Sequence, residues 1–350
     1  MSPNLYEAYK QWSTRPHDER FSSLEDLQSF CLEKRLHSSE FVQPINQINV
    51  KPNELGELVL NGSYEPLTLT NWSFGQLARV AQAPAHYLRT LPAEMSAENL
   101  KYSLSKISTD SKMLIYHDPQ TNRNFANAFT SKTYGRIWDH TIIEELAKLT
   151  EDNSWINPLD SHAKPSGLYA SDRDMFAFMI NTDNKVEIGK NSFNKGFFLW
   201  NSEVGSKTFG FTTFLYNSMC ANHIVWGADL VNDLKIYHRQ KAFNRFYTDA
   251  LPIINDFVDT NYISNNIKES VEAAMETKIG NEYSEIETWF KIKDFTKNEL
   301  STSYDIAIKT GENPTTLWGM VQGMTSYAKE IPYIDKRVDL ERRAGSLLRI

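Results

Sequence analysis

Apolar residues along this chain follow two periods, and the change from one to the other sets its expected architecture. The opening stretch reads as helical and polar. In "SLEDLQSFCLEKRL" the residues Leu24, Leu27, Cys31 and Leu36 fall near one face. Acids come early and Lys34 and Arg35 late, as the helix dipole favours. The next stretch, "FVQPINQINVKPNELGELVLNGSYEPLTLT", breaks into short strands at Asn53–Gly56 and at Asn61-Gly62. Asn71 or Thr70 then caps a helix whose buried stripe is Leu77, Ala78 and Ala81, and Pro84 starts a second helix. "KMLIYHD", the turn "PQTN" and "RNFANAFTS" predict a hairpin. "YGRIWDHTIIEELAKL" predicts an amphipathic helix with Asp139 or Thr141 as its cap and Ile142, Ile143, Leu146 and Leu149 as its apolar stripe. "DMFAFMI" is a strand. Two long strands flank "NSEVGSK", with Phe209, Phe211 and Thr213 alternating against Gly210, Thr212 and Phe214.

After Asn232 the period changes. "QKAFNRFYTDALPIINDFV", "SVEAAMETKIG", "SEIETWFKI" and "PTTLWGMVQGMTSYAKEI" all read as helices. The pattern predicts an α+β protein with a central, mostly antiparallel sheet, packed helices and a helical C-terminal region. Its expected divisions are an N-terminal helical segment 1–40, a mixed core 41–236 and a helical region 237–350.

Composition narrows the function classes. With 41% hydrophobic and 12% aromatic residues in 350, the chain has enough apolar surface for a real core. Two cysteines, Cys31 and Cys220, make no disulfide framework and fit a reducing cytoplasm. Cys31 reads as a small core residue. The stretch "MSPNLYEAYKQW" has no apolar centre and predicts no signal peptide, and no apolar run is long enough to span a membrane. A net charge of −7 argues against a protein that coats nucleic acid with its whole surface, so any such binding must use a local patch.

The chain carries no GxxxxGK[ST], no GxGxxG after a strand, no HExxH and no GxSxG. Three side chains pose the sharpest chemical question: Cys220, His223 and His238. Zinc needs at least three convergent ligands, and a thiol nucleophile needs a base beside it. The reading that asks least is structural. In it, Asn201 and Asn222 satisfy backbone groups where strands end, Gly205 supplies a positive φ, and Cys220 fills an apolar gap. The pairs Asp172/Asp174 and Glu144/Glu145 could hold Mg²⁺, but such pairs are usually solvated surface. The Ala-rich hairpin 71–91 could be a helix-turn-helix presenting His86 and Arg89, or simply a packed hairpin.

One stretch suits nucleic acid better. Lys235, His238, Arg239, Lys241 and Arg245 interleave with Tyr237, Phe243, Phe246 and Tyr247. Cations meet phosphates while bases stack on rings, which fits single strands. Lys336, Arg337, Arg342, Arg343 and Arg349 form a second basic group. The competing expectation is an amphipathic helix with core aromatics and solvated cations.

Several segments recur in one known order: "LTNWSFGQLARVAQAPAHYLRTLP", "FTSKTYGRIWDHTIIEEL", "NSEVGSKTF", "SMCANHIVWGAD" with "IYHR", and "TLWGMVQGMTSYAKE". In these the chain resembles the phage/plasmid-like protein family, domain of unknown function 932, over about residues 40 to 330. The resemblance implies a helix opened by a Ser-x-x-Tyr segment, here Ser131 and Tyr134. It implies a strand followed by an Asn-Ser-Glu-x-Gly turn, here Asn201, Ser202, Glu203 and Gly205, and a Cys-x-Asn segment, here Cys220 and Asn222, before His238. Ala221 and His223 depart from the family's usual Cys-Thr/Ser-Asn-Gly. The context implied is that of mobile genetic elements.

Together these readings lead to one expectation: a non-enzymatic protein of a bacterial host's cytoplasm that handles single-stranded DNA in recombination or replication. It would use Lys235, His238, Arg239, Lys241, Arg245 and Tyr247, with no catalytic residue, metal or cofactor, and it would gain avidity as a homo-oligomer. The alternative is a protein that binds a host defence or regulatory protein. A metal enzyme built on Cys220, His223 and His238 is a third reading.

Overall fold

Ser23 opens the first helix because its hydroxyl accepts the Asp26 N–H. That helix, α1 (Leu24–Leu36), follows a two-residue strand, β1 (Arg20–Phe21). Leu27 and Cys31 are buried, and Leu36 is 72% exposed. Leu36 therefore lies off the face that the sequence spacing assigned to it. At 3.6 residues per turn it sits nine residues past Leu27, about 180° around the helix. The computed structural model describes residues 19–60, 66–151, 154–158, 167–188, 191–217, 226–227, 234–259, 265–291, 293–331, 340 and 343–348. Asn61-Gly62, Asp160, Cys220, Ala221, Asn222, His223, Lys336, Arg337, Arg342 and Arg349 lie outside the described residues.

The first sheet has six strands in the order β2-β6-β7-β5-β4-β3. They are β2 (Ser38–Pro44), β3 (Val50–Pro52), β4 (Leu58–Leu60), β5 (Leu67–Leu69), β6 (Asp110–Asp118) and β7 (Arg123–Ser131). All neighbours are antiparallel except β5 and β7. The turn between β3 and β4 is built by Asn53, whose side-chain oxygen accepts the Leu55 and Glu57 N–H groups. Helices α2 (Asn71–Val80), α3 (Ala85–Leu88) and α4 (Ala93–Leu104) cover this sheet. Thr70 caps α2 by accepting from Ser73, and Leu77, Ala78 and Ala81 are buried as expected. After α2 the chain turns through Gln82 at φ 55°. Pro84 precedes α3 as its cap, and α3 is a single turn of four residues.

The second sheet is wholly antiparallel. Its path is β1-β9-β10-β11-β12-β13, with β8 on β10 and β14 on β12. Helix α5 (Asp139–Leu149) precedes β8 (Trp155–Ile156), β9 (Leu168–Ala170), β10 (Met175–Ile188), β11 (Asn191–Asn201), β12 (Phe209–Asn217), β13 (Trp226–Gly227) and β14 (Leu234–Ile236). Both faces of β11 are covered. Phe197 and Leu199 pack with α1 and α5, while Phe198 and Trp200 stack with Tyr169, Phe176 and Phe178 on the other face. Strict alternation of apolar and polar residues is therefore absent from "GFFLW", as expected of a strand buried on both sides.

After β14 come α6 (Ala242–Arg245), a π-helical turn (Phe246–Ala250) and α7 (Leu251–Asp259). Pro252 has no N–H to give, and the Leu251 N–H reaches back to the Phe246 carbonyl. Phe246, Ala250, Ile254 and Val258 join the same core as Leu27, Cys31 and Phe211, so this core draws side chains from residues 27 to 258. Lys195, buried beneath α7, donates to the last carbonyls of that helix, Phe257 and Val258. Burial lowers its pKa to about 8. Four more helices, α8 (Asn265–Glu276), α9 (Tyr283–Phe290), α10 (Lys297–Lys309) and α11 (Leu317–Glu330), build a further core around Trp318, Met320 and Met324. Thr296 and Glu299 form a capping box on α10.

The two faces of α1 provide a direct test of this packing. Leu27→Ala should lower unfolding free energy by about 2–5 kcal/mol. Leu36→Ala should stay within about 0.5 kcal/mol of the parent. Urea titration followed by tryptophan fluorescence measures both.

Candidate functional site

The turn from Asn201 to Gly205, between β11 and β12, is the polar centre of the molecule. Asn201 and Ser202 are fully buried. The Asn201 side-chain amide donates to the Ile137 carbonyl at 2.8 Å and to Asp139 Oδ1 at 2.7 Å. Glu203 Oε1 accepts the Asp139 N–H at 2.9 Å, at the first residue of α5. The position before that helix is Trp138, which supplies no side-chain cap. Neither Asp139 nor Thr141 caps α5, as the sequence had suggested. The cap comes from Glu203, a residue 64 positions away, which no local pattern could reveal. Gly205 takes φ 81°, the conformation glycine tolerates best.

Tyr134 reaches the same place and Ser131 does not, and the segment between them opens no helix. Ser131 ends β7, and the chain stays irregular until Asp139. The cause is the backbone of Gly135, whose N–H donates to the His238 carbonyl at 3.3 Å. A Cβ at Gly135 would sit 2.0 Å from the Arg239 carbonyl oxygen, so only glycine allows this approach. The Tyr134 hydroxyl donates to the Ser202 carbonyl at 3.0 Å, and burial raises its pKa. Its ring stacks on His238 with centroids 5.0 Å apart.

His238 is therefore a packed residue. Its Nδ1 lies 3.1 Å from the Gly135 carbonyl oxygen, a contact that calls for a proton on that nitrogen. Burial lowers its pKa to about 4, which leaves the ring neutral at physiological pH. That removes His238 from the expected set of cationic DNA contacts.

Asp139 and Glu203 form a buried carboxyl pair. Burial raises both, and the Glu203 charge raises Asp139 further; Lys34 offsets this at both groups, and the Asp139 N–H and Arg136 offset it at Glu203. A pair of this kind can hold one proton, the arrangement that acid–base catalysis uses. Its surroundings argue for a structural role. The cavity against Asp139, Glu203 and Asp174 is about 10 Å³, room for about one water and no substrate.

The remaining candidates separate. Arg239 and Lys241 are exposed and carry no ion pair among the described residues. Arg245 is exposed and pairs with Asp249 at 2.7 Å. Lys235 is half-buried on β14. Tyr237, Phe243 and Tyr247 are 60%, 39% and 38% exposed, and Phe246 is the core residue of the group. Arg343 points inward instead. It makes a two-pronged pair with Glu299, with Nη2 2.5 Å from Oε1, and donates to the Asp294 carbonyl, so it is spent on α10. Arg89 is likewise committed, to Asn71, and lies over the Phe74 ring. A one-turn α3 cannot fill a major groove, so the hairpin 71–91 is a packed hairpin and not a DNA-reading one. Glu144 and Glu145 pair with Lys148, and Lys207 lies 3.7 Å from Asp174. Among the described residues no three His, Cys, Asp or Glu side chains converge to hold a metal ion. No described helix is long and apolar enough to cross a membrane.

A scan of family models, a search of curated proteins and a search of solved structures each return no match. The geometry above must therefore carry any functional reading.

Two pH dependences follow, with opposite signs. A carboxyl whose folded pKa is raised contributes stability below its unfolded value, here 3.8 for Asp139, and that stability is lost as pH rises through the folded value. Asp139→Asn keeps the acceptor for Asn201, so its stability relative to the parent should improve as pH rises from 4 to 7. An unchanged difference across that range would refute the shared-proton pair. For His238 the unfolded ring takes up a proton below 6.5 and the folded ring only near 4, so stability falls as pH drops through that window. The shift is worth roughly 3 kcal/mol. His238→Gln should flatten the acid limb of a pH series of urea midpoints.

Proposed function

We propose that this protein binds single-stranded DNA and performs no chemistry on it, as part of the recombination or replication of a mobile element in a bacterial cytoplasm. One observation carries the reading. Tyr237, Phe243 and Tyr247 are exposed on the same short stretch as exposed Arg239, Lys241 and Arg245. Core packing accounts for Phe246 and leaves the other three rings partly exposed, Tyr237 most of all. The Phe243 and Tyr247 rings lie edge to face at 5.4 Å, and the Arg239 guanidinium stands 5.9 Å from the Tyr237 ring centre. Rings offer stacking faces to any base, and the cations meet the backbone between them. The Arg245–Asp249 pair is exposed, so exchanging it for a phosphate costs little. The mobile-element setting is part of the proposal, and self-association would multiply a small site.

A second reading has its own observation. β2 is the end strand of the first sheet and shows Phe41 and Val42 at 37% and 49% exposure. An end strand with exposed apolar residues suits a protein partner that adds a strand, and the acidic surface suits a basic one.

Fluorescence anisotropy of a labelled single strand, with a duplex of equal length alongside, distinguishes them. Strand binding should weaken with salt at a log–log slope of roughly −2, from about three phosphates at −0.7 each. Tyr237→Ala with Phe243→Ala should cost about 1–3 kcal/mol per base no longer stacked. No binding at low salt removes the DNA reading and favours the strand-addition partner.

A further inference from the structure

A second cationic site lies away from the 237–247 surface and shares no residue with it. Between α2, the α2–α3 turn and the loop before β10 there is a cleft of about 430 Å³. Arg79, Arg89 and Arg173 line it, and no carboxylate does. In a chain of net charge −7, three guanidinium groups around one cleft without a lining acid is a marked local excess. On its other side Arg173 borders the small cavity lined by Asp139, Asp172, Asp174 and Glu203, and the exposed Asp172 carboxylate is 3.9 Å from Arg173 Nε, a pair that solvent screens. Arg79 has no ion pair or hydrogen bond to its side chain among the described residues.

The cleft is also fixed in shape. The Trp72 indole N–H and the Gln76 amide both donate to the Val204 carbonyl, at 3.0 and 2.7 Å. Gln76 Oε1 accepts the Phe129 N–H at 2.9 Å, so both ends of that side chain are spent on the floor. Arg89 is held against Asn71 through Nη2, and Arg173 stands 5.6 Å from the Trp72 ring centre. Gly75 lines the cleft with room beyond it, since a Cβ there would meet Arg89 Nη2 at an ordinary contact distance of 3.8 Å.

We propose that this cleft binds a phosphoryl group of a nucleotide, either free or at the 5′ end of a DNA strand. Arginine's planar fork matches phosphate oxygens in pairs; Arg79 and Arg173 would supply such forks, and Arg89, held at Nη2 by Asn71, adds its charge beside them, a set that suits a doubly charged terminal phosphate better than a singly charged diester. The volume suits a single nucleotide.

Thermal unfolding by tryptophan fluorescence, with dAMP, deoxyadenosine and inorganic phosphate at equal millimolar concentration, tests this. dAMP and phosphate should raise the melting temperature and deoxyadenosine should not. Arg79→Ala with Arg173→Ala should weaken dAMP by about tenfold or more, as loss of charge-assisted bonds requires. Gly75→Leu fills the cleft while leaving every charge in place, and it should abolish the shift. A short strand with a 5′-phosphate binding more tightly than dAMP identifies a strand end as the ligand, and the reverse order identifies a free nucleotide. No shift with dAMP, an equal shift with deoxyadenosine, or full binding by the arginine variant overturns the proposal. Binding of a 5′-hydroxyl strand by the arginine variant reports separately on the 237–247 surface. Either site can fail alone.

Discussion

The Asn201–Gly205 turn is where the two sheets are joined, and the joint is a set of hydrogen bonds among buried and half-buried polar groups. Asn201 and Glu203 hold the start of α5, and Ser202 takes the Tyr134 hydroxyl from the segment after the first sheet. Val204 gives its carbonyl to Trp72 and Gln76 of α2. In a dry interior each such group would cost about 1–3 kcal/mol if left alone. The turn therefore fixes the angle between α2, α5 and the second sheet far more narrowly than apolar packing could, because apolar contact carries no direction.

That joint also explains why two raised carboxyl groups persist in a buried place. A charge in such a site must be paired or neutralised. Here burial pushes both carboxyls towards the neutral form, the Asp139 N–H and the Asn201 amide donate to them, and Lys34 and Arg136 oppose the shift. Arg136 is buried and ion-paired to Glu40 on β2 at 2.9 Å, so the polar network runs on from the second sheet to the end strand of the first. Breaking one member would leave another unpaired, which ties the geometry of the cleft to that of the joint through Val204.

Much of the fold could be read along the chain, because periodicity and turn chemistry are local. The β6–β7 hairpin, the Thr70 cap, the stripe on α2, the Asn53 turn and the two strands around "NSEVGSK" all stand where the pattern put them. What stayed hidden was set by distant partners. Glu203 as the cap of α5, His238 as the neutral partner of Gly135, and Arg343 as the partner of Glu299 all depend on residues tens of positions away. The same holds for the two guises of a basic residue. Arg239 and Arg343 look alike in sequence, and only the fold shows that one faces solvent and the other faces a carboxylate. The Arg79–Arg89–Arg173 cleft was missed because its members are scattered over 94 positions and none sits in a motif. The one available signal was a "FGQLAR" helix with glycine in its interior, where glycine weakens the helix unless space is needed.

The proposed binding of an anionic strand by an acidic protein raises an apparent conflict, and the range of the forces resolves it. At physiological salt a charge is felt over about 8 Å, so the net −7 of the chain slows approach more than it opposes contact. Contact energy is set by what lies within that distance. Around Arg239, Lys241 and Arg245 that includes Asp249 and, near Tyr247, Glu144 and Glu145 with Lys148 between them. These acids limit the electrostatic gain open to the surface, so under the proposed function the exposed rings would carry more of the binding. A strand held mainly by stacking would be held without regard to its sequence. In the arginine cleft no acid is among the lining residues, so for the ligand proposed there charge would outweigh stacking.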